Sequence, residues 1–147
     1  MEIYTIGFTQ KSAQEFFEKI KNKNIELLLD IRLNNTSQLA GFAKGKDLEY
    51  FLKEICNCEY AHDEIFAPTK ELLNSYRASK VSWKEYEDVF AKIMNNRQIE
   101  ERFKKLYINY EKVCLLCSEP TAEQCHRRLV AEYLQKHYDK NVKVVHI

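Results

Sequence analysis

Glycine and proline are scarce in this 147-residue chain, three of the first and two of the second, which excludes flexible linkers, low-complexity tracts and collagen-like repeats. No apolar run is long enough to cross a bilayer, and the opening Met1-Glu2-Ile3-Tyr4-Thr5 lacks the basic and apolar regions of a signal peptide. The expectation is a cytoplasmic protein with no membrane partner. An excess of either charge is missing too, since 23 Lys and Arg stand against 22 Asp and Glu. The summed field draws in no phosphate backbone over a broad surface, so any anion binding has to be local. Five cysteines, an odd number, make no disulfide framework in an unexported chain, and reduced thiols are expected.

What is present suits one core. The hydrophobic share of 45% and charged share of 31% are those of an ordinary folded protein. At this length roughly two thirds of the unfolded surface can be buried. A single domain over residues 1–147 is expected.

Ile3-Tyr4-Thr5-Ile6 is a β-branched and aromatic run stopped by Gly7, and Ser12 with Glu15 forms a capping box for a helix that turns Phe16, Phe17 and Ile20 inward. Asn22-Lys23-Asn24 ends that helix before a second strand, Ile25 to Ile31. Because Leu27, Leu28 and Leu29 are consecutive, both faces of this strand are expected to be buried. Asn34 to Lys46 reads as a long polar loop, Asp47 to Ile55 as a helix, and Cys58 to His62 as a short third strand. Pro68 and Thr69 open a helix through Tyr76, Ser82 and Glu85 open another, and Ile99, Phe103, Leu106 and Tyr107 continue the helical period. Val113 to Cys117 is a buried strand broken by Glu119-Pro120-Thr121. A helix follows to about Tyr138, and Val142 to Ile147 closes as a strand. Strand, helix, strand at both ends makes βαβ units, so the expected fold is an α/β three-layer sandwich, a mostly parallel sheet flanked by helices.

In such a sheet, ligands bind beyond the carboxyl ends of the strands. Those ends supply Gly7-Phe8-Thr9, Asp30-Ile31-Arg32 and Cys117-Ser118-Glu119. The segment Cys117 to Arg128 adds a helix start whose unpaired N–H groups and dipole attract anions and lower the pKa of a nearby thiol. On this reading Arg32 and Arg127 hold an anion with Arg128 as a weaker third, and Gly7 and Thr9 line the site. His126 transfers a proton, Glu119 or Asp30 orients it or activates water, and Cys117 is a nucleophile or a support for the turn. The plainer reading makes Cys117 and Cys125 small buried residues, Glu119 a solvated charge and the arginines a helix surface.

Ile3-Tyr4-Thr5-Ile6-Gly7, Leu29-Asp30-Ile31-Arg32, Leu116-Cys117-Ser118-Glu119, Cys125-His126-Arg127 and the closing Val145-His146-Ile147 together resemble the DUF488 family, in order along the whole chain. The resemblance implies a compact α/β fold with a site at the Cys-His-Arg segment, and the family's name records an unassigned activity. Phe8 stands where that family commonly has His, so the resemblance lends no proton-transfer role to the position. Leu33-Asn34-Asn35-Thr36-Ser37 replaces a Pro- and Arg-containing loop, leaving fewer basic groups for a polyanion.

Other candidates weigh less. The spacing of Cys114 and Cys117 sends their side chains to opposite faces of a strand, against shared chelation. Zinc on Cys117, Cys125 and His126 with Cys56 or Cys58 needs distant segments to meet, so no metal and no cofactor are expected. His62 beside Asp63 is a surface histidine or a catalytic one. Arg97, Arg102, Lys104 and Lys105 read as a solvated helix face, interrupted by Glu100 and Glu101. Three functions stay open: an enzyme for a phosphate-bearing substrate such as a nucleotide or nucleic acid, a non-catalytic module for such a ligand, and a thiol redox or metal switch. Oligomeric state is open as well.

Overall fold

Leu27, Leu28 and Leu29 divide between two cores, with Leu27 and Leu29 facing one and Leu28 the other, so the strand is covered on both sides. The computed structural model describes residues 1–36, 40–119 and 121–147. Part of the Asn34–Lys46 stretch and Pro120 therefore lie outside the described residues.

Five parallel strands form one sheet in the order β3-β2-β4-β1-β5. They are β1 (Glu2–Gly7), β2 (Leu27–Asp30), β3 (Glu59–His62), β4 (Lys112–Cys117) and β5 (Lys143–His146). The helices are α1 (Ala13–Asn22), α2 (Gly45–Phe51), α3 (Lys70–Arg77), α4 (Trp83–Arg97), α5 (Ile99–Tyr107) and α6 (His126–His137). One face of the sheet packs Ile3, Leu29 and Leu115 against α4, α5 and α6 through Phe90, Phe103 and Val130. The other packs Ile6, Leu28 and Leu116 against α1 and α2 through Phe16, Ile20 and Leu48. This is the three-layer α/β sandwich that the sequence pattern implies.

Local chemistry accounts for the boundaries. Ser12, Thr69 and Ser82 each accept an N–H from three residues ahead, capping α1, α3 and α4. The helical run after Ser82 is two helices, because Gln98 takes a left-handed conformation (φ 50°) after α4 and α5 restarts at Ile99. The polar stretch expected as loop holds a short 3-10 turn at Gly41–Ala43, and α2 begins at Gly45 and continues as a π-helical turn, Leu52–Cys56.

Register brings the strand ends level. Gly7 pairs with Cys117, Asp30 with Leu116, and Asp30 with His62 on its other side. The carboxyl edge thus gathers residues 7, 30, 62 and 117 in adjacent positions.

Candidate functional site

Asp30 ends β2 fully buried, and two residues on Arg32 folds back onto it. Its Nε and Nη2 donate to the two carboxylate oxygens at 2.8 and 2.6 Å. Nη2 also donates to the Ala43 carbonyl at 2.8 Å, and Phe8 lies under the guanidinium with its ring centre 5.1 Å away. The Tyr60 hydroxyl donates to Asp30 at 2.7 Å while accepting from Asn35. Burial and the adjacent carboxylate hold that hydroxyl's pKa well above its ordinary value. Asp30 is thereby engaged by two partners and Arg32 is neutralised.

Arg127, in the first turn of α6, is just as deeply buried, at 1% exposure, but its surroundings differ. Its Nη1 donates to the Glu119 carbonyl and points at the Cys117 and Cys125 sulfurs at 3.5 and 4.0 Å. Among the described residues no carboxylate is in ion-pair contact with it, and its Nε has no hydrogen-bond partner; Arg32 Nη1 is the other guanidinium nitrogen in that condition. Burial works against its charge. The α6 end is bare as well, with no capping side chain and no acidic residue in its first turn.

Gly7 makes this crowding feasible. A Cβ there would stand 1.6 Å from the Glu119 oxygen and 2.5 Å from Arg127 Nη1. Thr9 ties the neighbouring loops together, its N–H and hydroxyl both donating to the Ser118 carbonyl at 3.2 and 2.7 Å.

His126 donates Nε2–H to the Ile31 carbonyl at 2.9 Å. Burial, aided by Arg127, pushes its pKa down to about 4 against the pull of that carbonyl, so the ring is neutral near pH 7. His62 makes the matching contact to the Arg32 carbonyl at 2.7 Å. One nitrogen of His126 and the sulfurs of Cys117 and Cys125 all lie within 4.8 Å of one another.

The structure corrects the expectation of five reduced thiols, because it joins Cys117 to Cys125 and leaves Cys56, Cys58 and Cys114 free. The pairing arises because the loop after β4 folds back to set Cys125 beside the strand end. Cys114 faces the opposite core, as its odd spacing from Cys117 requires. Cys58 packs in that same core, so neither joins the Cys117, Cys125 and His126 cluster.

Of the predicted site residues, Gly7, Thr9, Asp30, Arg32, Cys117, His126 and Arg127 all fall at the carboxyl edge. Glu119 enters through its carbonyl, with an exposed side chain. Arg128 points elsewhere, bound to Glu87 of α4 and Glu132 of α6 at 3.1 Å each. Sequence reasoning missed Tyr60 and Asn35. It also missed buried Asp63, which follows β3 and accepts from Arg102 and Tyr107 at 2.7 and 2.9 Å. A concavity of about 960 Å³ opens at the amino edge instead, lined among others by Glu26, Glu49, Glu59 and Tyr110. Two of its carboxylates are engaged, Glu26 by the N–H groups of Glu111 and Lys112 and Glu59 by the Tyr110 hydroxyl.

A family model described as a domain of unknown function, DUF488, matches residues 12–134. No curated protein and no solved structure matches the chain.

Proposed function

The chain belongs to the DUF488 family, whose description assigns no reaction, and from its own residues we propose an enzyme acting on a phosphate-bearing, nucleotide-like anion at the carboxyl edge of the sheet. One observation carries the reading: Arg127 is buried without a carboxylate partner among the described residues. A buried charge without its ion-pair partner costs about 3–5 kcal/mol, offset here only in part by the field of the Glu119 carboxylate, and this one stands where the bare α6 N-terminus also favours negative charge. An anion entering there meets the Arg127 Nε and the first amides of α6 together. Arg32 offers Nη1 as a second donor, with Asp30 as the positioning residue that holds it. Gly7 and Thr9 keep the loop in place, and His126, joined by Cys117 once the Cys117–Cys125 bond is reduced, supplies the reactive groups beside the anion.

Titration calorimetry with inorganic phosphate and a nucleoside monophosphate tests binding, and a panel of phosphate esters tests turnover. Arg127→Lys, which keeps the charge and loses the planar fork, should weaken binding by about tenfold or more. The salt dependence should be shallow, as expected for a small ligand with few phosphate contacts. Absence of binding to both ligands, or an Arg127→Lys variant that binds like the parent, overturns the reading; binding without turnover reduces it to a non-catalytic module. A thiol switch is the second reading, and the Cys117–Cys125 bond is the observation that favours it.

A further inference from the structure

Two cysteines and a histidine meet at the junction of β4 and α6, since Cys117 ends the strand, Cys125 directly precedes the helix and His126 is its first residue. We propose that the reduced protein binds one zinc ion through Cys117, Cys125 and His126, with the fourth position open to water or substrate. Zinc prefers nitrogen and thiolate ligands in tetrahedral array, with bonds of about 2.0–2.1 Å to nitrogen and about 2.3 Å to sulfur. Ligand atoms on such an ion stand roughly 3.5–3.8 Å apart; the three here lie within 4.8 Å of one another with the two sulfurs joined, and reduction frees the sulfurs to part to that spacing.

The surroundings of the cluster are those of a metal centre. A ligating histidine characteristically donates its other N–H to a carbonyl or carboxylate, which fixes the tautomer and ring orientation. His126 does this at Ile31, and because a carbonyl only accepts, Nε2 carries the hydrogen and Nδ1 keeps a lone pair. Arg127 Nη1 faces both sulfurs and would stabilise them as thiolates. Among the described residues no other His, Cys, Asp or Glu completes the set. Three protein ligands and a vacancy is the pattern of catalytic rather than structural zinc.

Loading couples to redox state. A dithiol reductant gives two electrons and two protons to the Cys117–Cys125 bond, yielding two thiols and the oxidised reductant. Zinc then displaces both thiol protons as it binds, so oxidation of the pair closes the site. Binding of the ion requires no anion, so this inference and the anion reading fail separately.

The full chain, purified without chelator, is reduced with a phosphine and assayed by elemental analysis and by cobalt titration, with no phosphate present. The expected result is one zinc per reduced chain and none after oxidation. The cobalt form should show thiolate-to-metal charge transfer and the visible bands of a tetrahedral site. Cys117→Ser, Cys125→Ser and His126→Ala should each weaken cobalt binding by at least about 100-fold, beyond what loss of an outer partner does. Cys56→Ser should bind like the parent. Alkylation of the unaltered protein followed by peptide mass spectrometry guards against misfolded variants, because zinc should protect Cys117 and Cys125 and leave Cys56 reactive. A reduced chain that takes up neither metal, a cobalt spectrum without thiolate bands, or binding that survives the double Cys117→Ser and Cys125→Ser change overturns the assignment.

Discussion

His62 and His126 hold consecutive carbonyls of one chain segment, the first at the Arg32 oxygen and the second at the Ile31 oxygen. β3 and α6 thereby clamp the backbone between them and aim the Arg32 side chain at Asp30. A carbonyl can only accept, so both rings must carry a hydrogen on Nε2. Nitrogen-detected NMR of metal-free protein at mildly alkaline pH should find Nε2 protonated and Nδ1 bare in both residues. An Nδ1–H on either ring removes that arm of the clamp.

The Asp30–Arg32 pair should outweigh the neighbouring hydroxyl in stability. Asp30→Asn keeps the shape of the side chain but leaves a buried guanidinium without its counter-charge, an expected loss of about 3–5 kcal/mol. Tyr60→Phe removes two hydrogen bonds, the one donated to Asp30 and the one accepted from Asn35, and should cost about 1–3 kcal/mol. Urea denaturation of both variants decides; equal losses would mean that the charge pairing is not what stabilises this corner.

The fold was legible because a doubly buried strand has to be apolar throughout, and Leu27-Leu28-Leu29 is. The carboxyl-edge cluster was legible for a related reason, since parallel topology alone brings residues 7, 30 and 117 level. What the sequence did not disclose are contacts made by loop geometry. Nothing in the spacing of Cys117 and Cys125 says that the eight-residue separation folds back on itself. Nor does a carboxylate in the sequence reveal whether it faces Arg127 or, like Glu119, turns to solvent and contributes its carbonyl. Arg128, the weaker third of the anion-binding arginines expected from the sequence, is Arg127's neighbour, but adjacent helix positions point about 100° apart, and that rotation sends it to Glu87 and Glu132.

Gly7 should be replaceable by no other residue without moving the site. The Glu119 oxygen that a new Cβ would meet at 1.6 Å belongs to backbone, so Gly7→Ala has to displace the loop after β4 and with it the Arg127 contact. A loss of about 3 kcal/mol or more is expected, together with loss of phosphate binding. Gly41→Ala is the control: a Cβ there meets nothing within 4 Å, so the change should be neutral or stabilising by about 0.4–1 kcal/mol. If thermal denaturation ranks the two variants alike, the close approach at Gly7 carries no weight in the fold.

Cys58 should make the protein sensitive to alkali. It packs in the core shared by α1 and α2, and burial, reinforced by Cys56 and Glu59, pushes its thiol from an ordinary 9.0 up to about 12. Below pH 9 the thiol is protonated whether the chain is folded or not, so its contribution to stability is fully present. Between about 9 and 12 the unfolded chain gives up the proton while the folded one keeps it, and stability falls with rising pH by at most on the order of 4 kcal/mol. Tyrosines and lysines also titrate there, so the informative quantity is a difference between two proteins. Cys58→Ala should lose stability less steeply than the parent across that window in parallel denaturant titrations. Cys114 lies in the same core with its thiol also raised by burial, so some slope persists in the variant. Two superimposable pH profiles would show that the Cys58 thiol ionises as readily in the fold as outside it.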